Sequence, residues 1–293
     1  MALKIITDSA SDIPKDLAKE YDVEVIPTPV VINEIDYLDG ETIYPSEFYN
    51  LLRNHVDIKT YHINAYMFKE HFEKYAKNRD SLIYICFSTG IAGTYNAANL
   101  AKEELLENYS EFDLTIIDSK CASIGFGLVV YKAAKMLREN APKQMIIDAI
   151  KYHCEHMEHV FTVETLDYLF KGGRLSRSSF VAGGLLDIKP IIKMDDKGAL
   201  TSVEKVRGRQ KSLKRLVEMV GETGDSLSTQ VIGLCHGDDE KTLKQVKEML
   251  RTRYGCENFI ETYVGCAIGA HTGPGIIGVT YLNSKSPYEH RKA

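Results

Sequence analysis

The chain reads as an α/β protein in two parts. A Rossmann-like parallel-sheet domain comes first, followed by an α+β domain with a mixed sheet. Three observations predict this. In the first half, short apolar runs alternate with helical segments, as in βα units. Past His156 the texture changes to hairpin signals mixed with helices. The length of 293 residues suits two modest domains, which we place at 1–157 and 158–293.

Taken in order, "LKIITDSASDIP" gives a buried strand, a polar turn and a helix beginning near Pro14. "SLIYICFSTG" is a second buried strand ending in a Ser-Thr-Gly turn, and "GTYNAANLAKEELLENY" follows with helical spacing. "LTIIDSKCAS" and "IGFGLVVYKAAKMLREN" repeat the pattern, and Pro142 opens a further helix reaching about His156. Hydroxyls cluster around the C-terminal ends of these strands: Thr7 and Ser9, Ser88 and Thr89, and Ser119. Ligands of open parallel sheets bind at that edge. "HVFTVETLDYLFKGGRLS" then gives a strand and a short helix stopped by Gly172-Gly173. "IKPIIKMDDKGALTSVEKVRGR" reads as two strands around a turn holding Asp195 and Asp196, whose carboxylates should be solvated. A helix from "GRQKSLKRLVEMVGE", a strand from "TQVIGLCHGD", a helix from "DEKTLKQVKEMLRTRYG" and a strand from "ENFIETYV" complete the second half. Near the end, "AIGAHTGPGIIGVTY" sets His271 in a glycine-rich turn before a buried strand.

Composition narrows the function. Hydrophobic residues make up 44% and charged residues 26%, as in a soluble globular protein. A net charge of −5 argues against a general nucleic-acid binder. No apolar run approaches the ~20 residues that span a bilayer. The first residues lack the apolar segment of a signal peptide, so a cytoplasmic location is expected. The six cysteines form no CxxC and no zinc spacing, and no disulfide framework is expected there.

Several motifs carry chemistry. The loop "STGIAGTYN" is neither GxGxxG nor a P-loop, yet it opens a helix. Ser88, Thr89 and Thr94 there can cap the helix or bind an anion. Ser88 with His271 and an aspartate (Asp8, Asp118 or Asp187) suggests a hydrolase triad, but no GxSxG elbow is present. His153 and His156 share a helical face, where solvated or capping roles fit better than metal ligation. Lys171, Arg174 and Arg177 surround the Gly-Gly turn, and Arg207, Arg209 and Lys211 form a second basic cluster. Such clusters in an acidic chain suit a docking patch for an acidic or phosphorylated partner.

As a set, "IITDSASDIP", "FSTGIAGTYNAA", "IIDSKCASIGFGLVV", "ETLDYLFKGGRLSRSS", "KPII" and "GAHTGPGIIGVTY" are familiar. In order and spacing the chain resembles the DegV family of bacterial fatty-acid-binding proteins, which includes the binding subunits of fatty acid kinase. The resemblance implies a fatty acid lying between the two domains, tail buried, with no metal or cofactor. It implies headgroup contacts from His271, Ser88, Thr89 and Thr60. Thr60 opens "TYHIN", where the family usually has a "TSQPS"-like segment, and Thr89 stands for the usual second serine. Arg174 matches a basic position associated with kinase docking, and Arg207 and Arg209 would add to that surface. The implied function is presentation of the fatty acid carboxylate to a separate kinase subunit, the acyl phosphate then passing to an acyltransferase for phospholipid synthesis. Transient membrane-surface contact is compatible with such a carrier. The alternatives are a serine hydrolase or acyltransferase using Ser88 and His271, and a lipid-sensing regulatory module.

Overall fold

A computed structural model describes residues 2–54, 56–176 and 187–288. Strands β1 (Leu3–Asp8), β2 (Glu24–Ile26), β6 (Ser81–Cys86) and β7 (Leu114–Asp118) form a parallel sheet in the order β2-β1-β6-β7. Its central strands are apolar runs because both faces are covered. Helices α3 (Ala65–Asn78) and α4 (Thr94–Leu106) pack on one face through Phe68, Phe72, Ala98 and Ala101. On the other face lies α5 (Ser123–Arg138), with α6 (Lys143–His156) beside it. The helix α1 (Lys15–Glu20) follows Pro14.

The second sheet has six strands in the order β10-β9-β8-β13-β11-β12. They are β8 (Met157–Thr162), β9 (Ile188–Met194), β10 (Leu200–Arg207), β11 (Ile232–His236), β12 (Phe259–Tyr263) and β13 (Ile277–Leu282). All neighbours are antiparallel except β11 and β12. Helices α8 (Arg209–Thr223) and α9 (Glu240–Tyr254) cover one face with Leu213, Leu216, Leu243 and Val246. The short α7 (Asp167–Lys171) precedes the Gly-Gly turn.

α5 joins the halves. Its first half is buried on every side, from Ile124 to Val130. A helix apolar all round belongs in a core. Ile5 and Ile83 of the parallel sheet, Phe126 and Leu128 of α5, and Phe161 and Ile192 of the second sheet form one continuous cluster.

Three features depart from the sequence reading. No element is read from sequence between the helix at Pro14 and the strand "SLIYIC". A small antiparallel sheet, β4-β3-β5, forms from β3 (Pro29–Ile32), β4 (Ile35–Leu38) and β5 (Ile58–Thr60), with α2 (Pro45–Arg53) between β4 and β5. His271 is not in a turn but in the last turn of a helix, α10 (Cys266–Thr272). Gly273, at φ 74°, ends that helix. His153 is buried rather than solvated, because the segment after β13 lays Ser286 over it at 2.8 Å.

Candidate functional site

α10 is held at both ends by the first half of the chain. Asp39, in the loop after β4, accepts the N–H groups of Cys266 (2.9 Å) and Ala267 (3.1 Å). Asp12 accepts that of Gly265 at 2.8 Å. These carboxylates satisfy the free donors of the helix start. At the other end, His271 Nε2 lies 2.7 Å from the hydroxyl oxygen of Thr60 on β5.

The Thr60–His271 pair stands in the wall of a cavity between the two sheets. The space within measures about 960 Å³, open solvent at its mouth included. Apolar side chains make up much of the wall, among them Phe87, Ile91, Phe161, Leu169, Met194 and Ile276. Arg174 also lines it. Burial, and then the nearby charge of Arg174, pulls the His271 pKa down to about 4, so the ring is neutral. Its Nδ1 is buried without a hydrogen-bond partner among the described residues.

The Gly-Gly-Arg turn explains itself against this ring. A side chain on Gly172 would place Cβ 2.1 Å from His271 Nδ1. Gly173 takes φ 72°, where L residues are strained. Arg174 then turns back, donating to the Gly172 carbonyl at 2.6 Å. It makes no ion pair with a carboxylate among the described residues. The residue is half-buried and contributes to the cavity wall.

The structure brings together Thr60, His271 and Arg174. It takes Ser88 and Thr89 elsewhere. The Ser88 hydroxyl is fully buried and donates to the Gly198 carbonyl at 2.7 Å, joining the β6–α4 loop to the tip of the β9–β10 hairpin. Thr89 donates from its hydroxyl to Asp118 at 2.6 Å. Ser88 and His271 thus have separate partners and form no nucleophile–base pair. Of the basic residues, Arg207 is exposed on β10. Arg209 is held inward by Glu164 (3.0 Å) and the Gly275 carbonyl (2.5 Å). Arg177 lies outside the described residues. No cluster of potential metal ligands occurs among the described residues, and none of their helices is long and apolar enough to cross a membrane.

The acids near the cavity were not singled out from sequence as anchors. Asp8 accepts from Tyr84 (2.8 Å), Phe87 N (3.2 Å) and Ala10 N (3.1 Å), yet its burial prevails and pushes its pKa up to about 6. The unfolded chain releases this proton near pH 4, the folded chain only near 6. Stability from this group is therefore complete below pH 4, is lost as pH rises to about 6, and is level above. Asp8→Asn should remove about 2 kcal/mol of pH dependence between pH 4.5 and 7.5. Urea unfolding of both proteins at pH 4.5 and 7.5 checks it; parallel curves would refute it.

Comparison with known proteins agrees with this architecture. The model of the DegV family, described as one of uncharacterised proteins, matches residues 2–284. A DegV domain-containing protein of Clostridium perfringens is 36% identical over 286 residues, covering 97% of this chain and 98% of its own. Among solved structures, a fatty-acid-binding DegV family protein of Thermus thermophilus superposes with a TM-score of 0.85 at 25% identity, covering 96% of this chain and all of its own. A DegV lipid-binding protein of Thermotoga maritima gives 0.84 at 28% identity, with 96% and 99% covered. DegV of Bacillus subtilis, a fatty-acid-binding protein, gives 0.84 at 27% identity, with 96% and 98% covered. A parallel four-stranded sheet, a mixed six-stranded sheet and a match from residue 2 to 284 lead to one conclusion: this chain belongs to the DegV family.

Proposed function

We propose that the protein carries a long-chain fatty acid in the cavity between its sheets, with the carboxylate at Thr60, His271 and Arg174. The observation that carries this reading is the Thr60–His271 pair, 2.7 Å apart, in the wall of a largely apolar cavity. Each buried CH₂ contributes roughly 0.8 kcal/mol, so a C16 tail supplies on the order of 10 kcal/mol before association costs. A carboxylate cannot enter such a place bare. With Nε2–H of the neutral His271 ring donating to Thr60, the Thr60 hydroxyl is left to donate to the carboxylate, and Arg174 offers charge without a carboxylate partner of its own among the described residues. Related proteins that bind fatty acids and share the fold support the reading.

The carrier presents its carboxylate to a separate kinase subunit that uses ATP and magnesium, and the acyl phosphate passes to an acyltransferase. Arg174, at the cavity wall near the headgroup, meets the incoming phosphoryl group and the docked kinase. Arg207, exposed on β10, adds docking charge. Arg209 serves as an internal tether. The protein itself acts as a binding subunit.

Organic extraction with mass spectrometry, followed by palmitate titration of delipidated protein, tests the carrier role. We expect bound fatty acid and saturable binding; neither appearing would refute it. Arg174→Ala should lower fatty acid affinity about tenfold and, in the lipid-loaded variant, kinase-coupled phosphorylation about tenfold or more. A lipid-loaded variant phosphorylated at the normal rate would remove Arg174 from transfer and docking alike.

A further inference from the structure

The sheet side of the cavity is not uniformly apolar. Ile276, Gly278 and Thr280 stand two residues apart and all line it, so one face of β13 forms its floor. Thr280 lies about 13 Å further along the strand than Ile276. It pairs in register with His159 on β8, which lines the cavity too. His159 is 5% exposed. No carboxylate is hydrogen-bonded to it, and burial pulls its pKa down to about 4, so the imidazole is neutral.

An alkyl chain has no use for an imidazole. A Leu or Phe would pack there at no polar cost. Instead the fold makes room for the ring: a Cβ on Gly125 of α5 would fall 2.2 Å from His159 Nε2. Nε2 accepts a long hydrogen bond from Ala122 N at 3.3 Å, which places the ring proton on Nδ1. Among the described residues Nδ1 closes no hydrogen bond of good geometry, although the Met157 backbone lies close enough to favour a proton on the ring. Support of the Ala122 backbone thus explains one ring nitrogen and leaves the other under-used. Beside it, the Thr280 hydroxyl reaches the Gly233 carbonyl, its acceptor among the described residues, at the outer limit of 3.5 Å. Two under-used polar groups therefore stand opposite each other in register on the cavity wall, well along the sheet from Ile276.

We propose that the cavity selects a long-chain acid bearing an oxygen, hydroxyl or keto, along its chain, and that His159 with Thr280 recognises that oxygen. This rests on the lipid reading above and narrows it to a ligand class. The ring donates Nδ1–H to the oxygen, and a hydroxyl on the chain also donates to Thr280. A plain alkyl tail leaves the imidazole donor buried and unpaired, so the site discriminates against it. A site built to hydrogen-bond a hydroxyl rejects the analogue lacking it more strongly than an apolar site rejects the reverse.

The test is calorimetric titration of delipidated full-length protein with stearate and with hydroxystearates substituted at positions 9 to 12. At least one hydroxystearate should bind about fivefold or more tightly than stearate. His159→Leu should invert that order, weakening the hydroxy acid about fivefold or more while stearate holds or tightens. His159→Gln, which keeps a donor, should restore part of the preference. Stearate binding at least as tightly as every hydroxystearate in the unmodified protein overturns the proposal, whatever the variants do. An equal loss of both acids in a His159→Leu protein of unchanged melting temperature overturns the role of His159. Binding of neither acid overturns the lipid reading and this one together, whereas tight stearate binding without preference overturns this one alone.

Discussion

Gly172→Ala should weaken fatty acid binding about 30-fold, although the added group is a single methyl. The backbone at Gly172 is ordinary, at φ −74°, so alanine brings no conformational strain. The methyl instead arrives 2.1 Å from His271 Nδ1. The ring cannot yield without leaving Thr60, and the carboxylate then loses a donor at one end of its site. A lost hydrogen bond with its unpaired groups costs about 2 kcal/mol, which is the stated factor. Gly173→Ala is the control. Its Cβ would meet nothing within 4 Å, but φ 72° penalises any side chain. That variant should lose about 1 kcal/mol of stability with little loss of affinity. Palmitate titration and thermal melts of both variants separate the two effects. Equal affinity in Gly172→Ala and the unmodified protein would exclude His271 from the headgroup.

Asp39→Ala should cost about 3 kcal/mol of stability, because it strands two buried N–H groups, those of Cys266 and Ala267. The expected fall in melting temperature is roughly 6–10 °C for a protein of this size. Both oxygens of Asp39 accept, Oδ1 from Cys266 N–H and Oδ2 from Ala267 N–H, so the group acts as a two-oxygen acceptor. Asp39→Asn keeps one acceptor oxygen but turns an amide NH2 toward the other backbone N–H, so it should cost more than half as much. Because α10 also carries His271, Asp39→Ala should weaken lipid binding as well as stability. Scanning calorimetry with palmitate titration checks both. An Asp39→Asn variant as stable as the unmodified protein would show that the second oxygen is not needed to hold the helix.

The βα units were legible in sequence because each strand is a continuous apolar run and each helix carries a 3.6-residue stripe. "SLIYIC" and "TYNAANLAKEELL" are strong examples. The small sheet was not legible, since β3 and β4 have four residues each and β5 three, too short for any period to show. α10 was missed for a different reason: "CAIGAHT" is small residues and a glycine, a weak helix former stabilised by Asp39 and Asp12 from far away in the chain. The same distance hides the side-chain commitments. Nothing local tells that Ser88 donates to Gly198, or that Arg209 turns inward to Glu164. His159 sat in the "HCEHMEH" run as one more histidine, and only the missing Cβ of Gly125 shows that the fold reserves a place for it.

The Thr60–His271 hydrogen bond spans 211 positions of sequence. During synthesis the parallel sheet can begin to form once β7 emerges, since all its strands lie within the first 118 residues. The carboxylate end of the cavity cannot exist until α10 follows, after more than nine-tenths of the chain has been made. A nascent chain therefore offers apolar surface without a headgroup site. On the carrier reading proposed above, lipid capture waits for α10, and a chain truncated before that helix would neither hold a fatty acid nor shield the surface meant for it.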